Sequence, residues 1–280
     1  MTLAKIAVVC ALGGVSLAAP LALGGTERLS TSPQGYYLAL GDSIAYGFQP
    51  TKASKGTPPS AFDTGYVDVF AARLRALAPK IRVVNYGCPG ESTRTFIAGG
   101  CSGRHDVKGL HDPYKGAQLK AALAFLRAHP GQVSPITLTL WGNDFLEIAD
   151  ACKGKLACVQ TRAPRTIASG LTTILRQLRA AAPNATIIVT GTWNPFGDFK
   201  QTDPLFRSLN TTIARVAATE KAGFADTFPT FNPQGNLARE KAQICALTFS
   251  CSKFKGDPHP TDAGYRAMAA AVWAASGYHS

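Results

Sequence analysis

Apolar runs and helix-periodic segments alternate five times along this chain. The runs are "YYLAL" (36–40), "KIRVVNYG" (80–87), "PITLTLWGND" (135–144, ending in a turn), "ATIIVTGTW" (185–193) and "FADTF" (224–228). Each has little polar alternation, the pattern of a strand buried on both faces. Between them, residues 64–78 put Val67, Phe70, Ala71, Leu74 and Leu77 on one helical face. Residues 117–129 do the same with Leu119, Ala122, Leu123 and Leu126. Further helices are predicted over about 164–182, 204–222 and 261–275, whereas 44–63, 88–115 and the Cys-bounded 145–163 read as loops. The alternation predicts an α/β fold with a five-stranded parallel sheet covered on both faces. In such sheets functional residues sit in the turns beyond the carboxyl ends of the strands.

Composition narrows the class. The chain has 280 residues, 46% hydrophobic and 16% charged, which marks it as globular and able to bury a sizeable core. Lys5 followed by "IAVVCALGGVSLAAPLAL" reads as a signal peptide over 1–18, with cleavage after Ala18 or Ala19. The alternative, an uncleaved anchor, is disfavoured by Gly13, Gly14 and Pro20. Residues 19–35 then form a polar linker and 36–280 one domain, so the protein is expected outside the cell. Apart from Cys10, six cysteines remain, an even number that suits disulfides in an exported chain. Their spacing falls into local couples, Cys88–Cys101, Cys152–Cys158 and Cys245–Cys251. There is no C-x-x-C, and no cysteine couple stands beside a histidine couple, so neither a metal nor another cofactor is expected. The net charge of +12 is scattered, without basic runs. It suits an anionic envelope or polysaccharide and not nucleic acid, and a monomer is expected.

Four strand-ending turns carry the chemistry. They are Gly41-Asp42-Ser43, "NYGCPGEST" (85–93), Trp141-Gly142-Asn143-Asp144 and "GDPHPTDAGY" (256–265) before the last helix. Together they offer a hydroxyl, a Gly-rich turn, a carboxamide and an imidazole. Serine becomes a nucleophile when a base takes its proton, and a tetrahedral oxyanion needs fixed donors. The backbone N–H groups of Ser43 and Gly90 and the Asn143 amide are candidate donors. Asp42 is read as a tether of its turn. The G-x-S-x-G elbow is absent, since Ala45 stands at its last position.

These four turns resemble, in order and over nearly all of 36–280, the GDSL family of lipases and esterases, also called SGNH hydrolases. The resemblance implies a flavodoxin-like three-layer α/β/α sandwich. It also implies ester hydrolysis through an acyl-serine on a small-molecule or lipid ester, without a cofactor. The family's nucleophile falls on Ser43, its oxyanion glycine and asparagine on Gly90 and Asn143, and its histidine on His259. Two positions depart from the family. Trp141 replaces the first glycine of G-x-N-D, and either narrows the acyl site or only packs. The family's D-x-x-H meets Gly256 three residues before His259, so the nearest acid is Asp257, two before. Asp257 is the expected partner of His259, with a backbone carbonyl as the alternative. Trp193 and Phe196 are placed either at the pocket mouth or in the core. "RHDVKGLHD" (104–112) reads as a solvated loop and not a metal site, and Asn184 and Asn210 head N-x-T sequons. The alternatives to an esterase are a carbohydrate O-deacetylase, an acyltransferase using the same serine, or a non-catalytic envelope-binding module.

Overall fold

The structure is a computed structural model that describes residues 31–279 other than 55, 102, 104–106, 197–199, 235–236 and 255. The expected signal peptide and its cleavage site, Cys10, and the linker as far as residue 30 lie outside the described residues. In chain order the main elements are β1 (Tyr36–Gly41), α1 (Ser43–Tyr46), α2 (Tyr66–Leu77), β2 (Arg82–Asn85), α3 (Thr93–Ala98), α4 (Gln118–Ala128) and β3 (Val133–Thr139). There follow α5 (Gly142–Ala151), α6 (Leu156–Ala181), β4 (Ile187–Thr190), α7 (Asp203–Thr219), β5 (Gly223–Ala225), α8 (Phe228–Phe231), α9 (Leu237–Leu247) and α10 (Asp262–Ser276).

The strands form one sheet of order β2-β1-β3-β4-β5, and every pairing is parallel. This is the flavodoxin-like order. β1 and β3 are buried nearly from end to end, which explains their lack of polar alternation. The chain moves outward from β1 to β2, then reverses past β1 to β3, β4 and β5. Right-handed crossovers therefore place α2 on one face and α4, α6 and α7 on the other. α10 returns to pack against α2, while α4, α6 and α7 pack side by side. The reversal leaves a crevice between the carboxyl ends of β1 and β3, where ligands of such sheets bind. Ser43 and Asn143 lie there.

Three expected loops hold helices. α1 runs into 44–63 and α5 into 145–163, α3 lies within 88–115, and α8 and α9 follow β5. Short or strongly tertiary helices of this kind carry too little periodicity to be read from sequence. α6 starts at Leu156 and runs through Pro164, where the helix was expected to begin. Proline removes one helical hydrogen bond, but Val159, Ala163, Ile167 and Leu171 bury one continuous stripe across it. The third and fourth strands are shorter than expected, ending at Thr139 and Thr190. A second small core of Tyr46, Phe62, Cys88, Val107 and Leu110 lies under the loops around the site. Among the described residues no helix is long and apolar enough to cross a membrane.

Candidate active site

The turn after β1 is built around a glycine that nothing can replace. Gly41 has φ +131°, and a side chain there would collide with the backbone carbonyl of Thr139 on β3. The Gln118 amide clamps the same residue, accepting from its N–H at 2.7 Å and donating to its carbonyl at 2.9 Å. Asp42 then caps α1, its Oδ1 accepting from the Ile44 N–H at 2.9 Å. Burial, with the Asp144 and Glu91 carboxyls nearby, pushes the Asp42 carboxyl up to about 8. Asp42 thus tethers the turn that presents Ser43.

Ser43 Oγ lies 2.9 Å from His259 Nε2, and His259 Nδ1 lies 2.8 Å from Asp257 Oδ1. The same Oδ1 accepts from the backbone N–H of His259 at 2.9 Å. The carboxylate, and not a backbone carbonyl, therefore meets the ring. Gly256 bends the approach with φ +80°. The loop before it braces the pair. Ser250 Oγ donates to the Asp257 carbonyl (3.1 Å), and Phe249 N–H donates to that of His259 (3.0 Å). The Cys245–Cys251 disulfide closes that loop. The Phe48 ring covers His259 with centroids 4.7 Å apart.

The donors gather on the other side. Gly90 turns with φ +79°, and the Glu91 N–H returns to the Cys88 carbonyl at 3.1 Å. Asn143 is the second residue of α5, and its Nδ2 donates to the Glu91 carbonyl at 2.9 Å. The Asn143 amide carries a second N–H beyond the one given to Glu91. Among the described residues no acceptor takes the backbone N–H of Ser43 or Gly90. Asp144 locks the two turns together, accepting from Thr93 N–H at 2.9 Å and Thr93 Oγ1 at 2.5 Å. Burial raises the Asp144 carboxyl, against the lowering by both Thr93 bonds.

Cys88–Cys101 and Cys152–Cys158 are also disulfides, in the expected pairing. Cys88, Cys101 and Glu91 lie close enough to hold a metal, but both sulfurs are already bonded to each other. Of the His-Asp loop, residues 104–106 lie outside the described residues. His111 sets its ring nitrogens against the Tyr46 carbonyl (2.9 Å) and Asp63 (3.2 Å), and Asp112 accepts from the Asn85 N–H (2.8 Å). Both are structural pins. The Asn210 sequon is likewise structural, since its buried amide bonds to Thr192 N–H and carbonyl. Asn184 is exposed.

Trp141 and Trp193 meet edge-to-face at 5.1 Å, and Trp193 stacks on Phe231 at 4.6 Å. Both indoles line a pocket of about 130 Å³ that opens at Ser43 and His259, together with Phe145, Phe206 and, at the mouth, Leu146 and Phe196. The sequence reading had no signal for Phe145 or Phe206, because only the packing of α5 and α7 brings them to Ser43. Nor did it mark Gln118 or Phe48. A larger cavity, about 470 Å³, opens near Leu126, Val133 and Ala185 at the amino ends of the strands, remote from this chemistry.

The parallel α/β sheet and the contacting Ser43, His259 and Asp257 at its crevice are the arrangement that the class of carboxylic ester hydrolases uses. The GDSL-like lipase/acylhydrolase family model matches residues 39–267. The chain belongs to that family. Its fold is similar to an acetylxylan esterase from Geobacillus stearothermophilus (20% identity, 89% of this chain and 97% of that one, TM-score 0.54). It is also similar to a lipase from a goat rumen metagenome (18%, 87% and 98%, TM-score 0.59) and an extracellular lipase from Streptomyces rimosus (17%, 86% and 99%, TM-score 0.57). No curated protein matches the sequence. At these identities the likeness to solved structures is one of fold.

Proposed function

We propose that Ser43 is the nucleophile, His259 its base and Asp257 the positioning carboxylate of an acyl-serine esterase. The observation that carries this is the unbroken line Asp257–His259–Ser43, at 2.8 Å and 2.9 Å. With Nδ1–H donating to Asp257, Nε2 is left to accept the serine proton. Ser43 Oγ then bonds to the ester carbon as its proton passes to Nε2. The oxyanion takes hydrogen bonds from the N–H of Ser43 and Gly90 and from Asn143. The imidazolium returns the proton to the alkoxide oxygen as the C–O bond breaks. Water repeats the sequence on the acyl-serine, giving its proton to Nε2, and Ser43 recovers it as the acid leaves.

The test is turnover of chromogenic esters by the wild type and Ser43→Ala, with a fluorophosphonate label read by mass. Loss of at least about a thousandfold, and a label on Ser43 alone, are expected. Activity unchanged in Ser43→Ala would sink the reading and revive the non-catalytic envelope-binding module. The carbohydrate O-deacetylase reading draws on the fold shared with an acetylxylan esterase. Strict preference for acetyl esters would favour it, and transfer to an added alcohol would favour an acyltransferase. We further infer an exported monomer, with 1–18 as signal peptide, since three disulfides suit an oxidising compartment. Its charge of +12 suits work at an anionic envelope or polysaccharide.

A further inference from the structure

We propose that Trp141 ends the acyl site and limits this enzyme to acyl chains of about six carbons. The inference rests on the acyl-serine reading. When the oxyanion faces Gly90 and Asn143 and the leaving oxygen faces His259, the remaining substituent of the ester carbon is the acyl chain. The apolar space beside Ser43 is the pocket of about 130 Å³ walled by the β3 and β4 turns, with Gly256 and Pro258 of the histidine turn at its edge. A cavity of about 150 Å³ takes up benzene, so this one holds about four or five carbons beyond the carbonyl. Its aromatic wall cannot yield easily. Trp141 is 5% exposed and leans on Trp193, which is fully buried and backed by Phe231. Trp193 is fixed in turn. The Asn232 amide accepts from the Asn194 N–H at 2.8 Å and donates to the Asn194 carbonyl at 2.9 Å, holding the chain next to it. A glycine at 141 would leave that side open. At the mouth, Leu146 (59% exposed) and Phe196 (39%) offer a longer chain only partial cover.

A chain-length series from acetyl to palmitoyl esters tests this on the wild type and on Trp141→Ala. Wild-type kcat/KM is expected to climb up to about fourfold per methylene, the equivalent of about 0.8 kcal/mol per buried CH₂. It then stops climbing at five to seven carbons. Trp141→Ala moves the optimum upward by about three or more carbons. Trp141→Phe, a smaller change for a variant that must fold, moves it by one or two. Equal wild-type turnover of butanoyl and dodecanoyl esters would overturn the limit, as would a sharp optimum at acetyl. An unchanged profile in both folded variants would overturn the role of Trp141. A second readout is independent of turnover, namely the rise in Tm produced by free carboxylic acids of increasing length. If no ester is cleaved but the Tm shift grows to about six carbons and then levels, the pocket stands and the reaction falls. If the acids show no such ceiling, the inference itself fails.

Discussion

One oxygen of Asp257 accepts from both the backbone N–H and the ring Nδ1 of His259. The bond to the backbone N–H two positions on is an Asx-type turn, for which a spacing of two is natural. It explains how a carboxylate one residue from the family position still reaches the ring. A charged partner also stabilises the imidazolium formed in each half-reaction. Asp257→Asn keeps the turn but presents no charge and permits the wrong tautomer, so kcat should fall by about 10² to 10⁴. Steady-state kinetics on the variant decide it, and a loss under about tenfold would remove Asp257 from the machinery. At this scale the sequence was legible wherever one residue type has one use. Ser43, His259, Asn143 and Gly90 stood out by type and order, and the structure places the first three around one pocket, with Asn143 bonded to the Glu91 carbonyl next to Gly90. Trp141 was ambiguous because packing and lining look alike in a sequence, and here it does both. Gln118 was hidden because a buried glutamine on a helix face leaves no mark until its strand partner is known.

Elements place these residues by binding turn to turn. Asp144 of α5 holds the first residue of α3 through two hydrogen bonds, and Asn143 holds the residue two before it. The turns after β2 and β3 are therefore bonded directly to each other. The histidine turn is held by the end of α9, where Thr261 donates to the Ala246 and Leu247 carbonyls at 2.9 Å, and by the loop 248–254 through Ser250 and Phe249. The Cys245–Cys251 disulfide, with a sequence separation of 6, ties the end of α9 to that loop. Replacing both cysteines with serine should cost about 2 kcal/mol of stability through chain entropy. It should also lower kcat severalfold with little change in KM, because the loop that carries Asp257 and His259 loosens. Denaturation together with kinetics separates the two effects. Unchanged kcat at reduced stability would show that the disulfide braces the fold and not the site. The helices that form these clamps were the least legible part of the chain. α3 and α5 are short and lie between cysteines and glycines, where periodicity is weak and tertiary contact decides. The strands were legible because a sheet covered on both faces must be apolar throughout.

The whole molecule carries an unusual pH signature from the acids beneath its crevice. Asp42 is raised to about 8, chiefly by burial, Asp68 to about 6, again chiefly by burial, and Asp144 is also raised. In the unfolded chain such carboxyls ionise near 4. Between about pH 4 and 8 the folded protein therefore holds protons that the unfolded chain has released. These groups make stability fall as pH rises across that window, by up to about 1.4 kcal/mol per pH unit for each. The contribution is full below the unfolded value and is lost as pH climbs through the folded one. Salt-bridged carboxylates do the opposite, so the sign is diagnostic. Asp42→Asn isolates the largest share, because an amide oxygen still accepts from the Ile44 N–H but carries no titrating proton. Urea denaturation at pH 5, 6, 7 and 8 should give a falling stability for the wild type and a flatter line for the variant. Parallel lines would mean that Asp42 is already ionised in the folded state. The flatter line would show that the turn presenting Ser43 is held by a neutral acid, which places no negative charge beside the developing oxyanion.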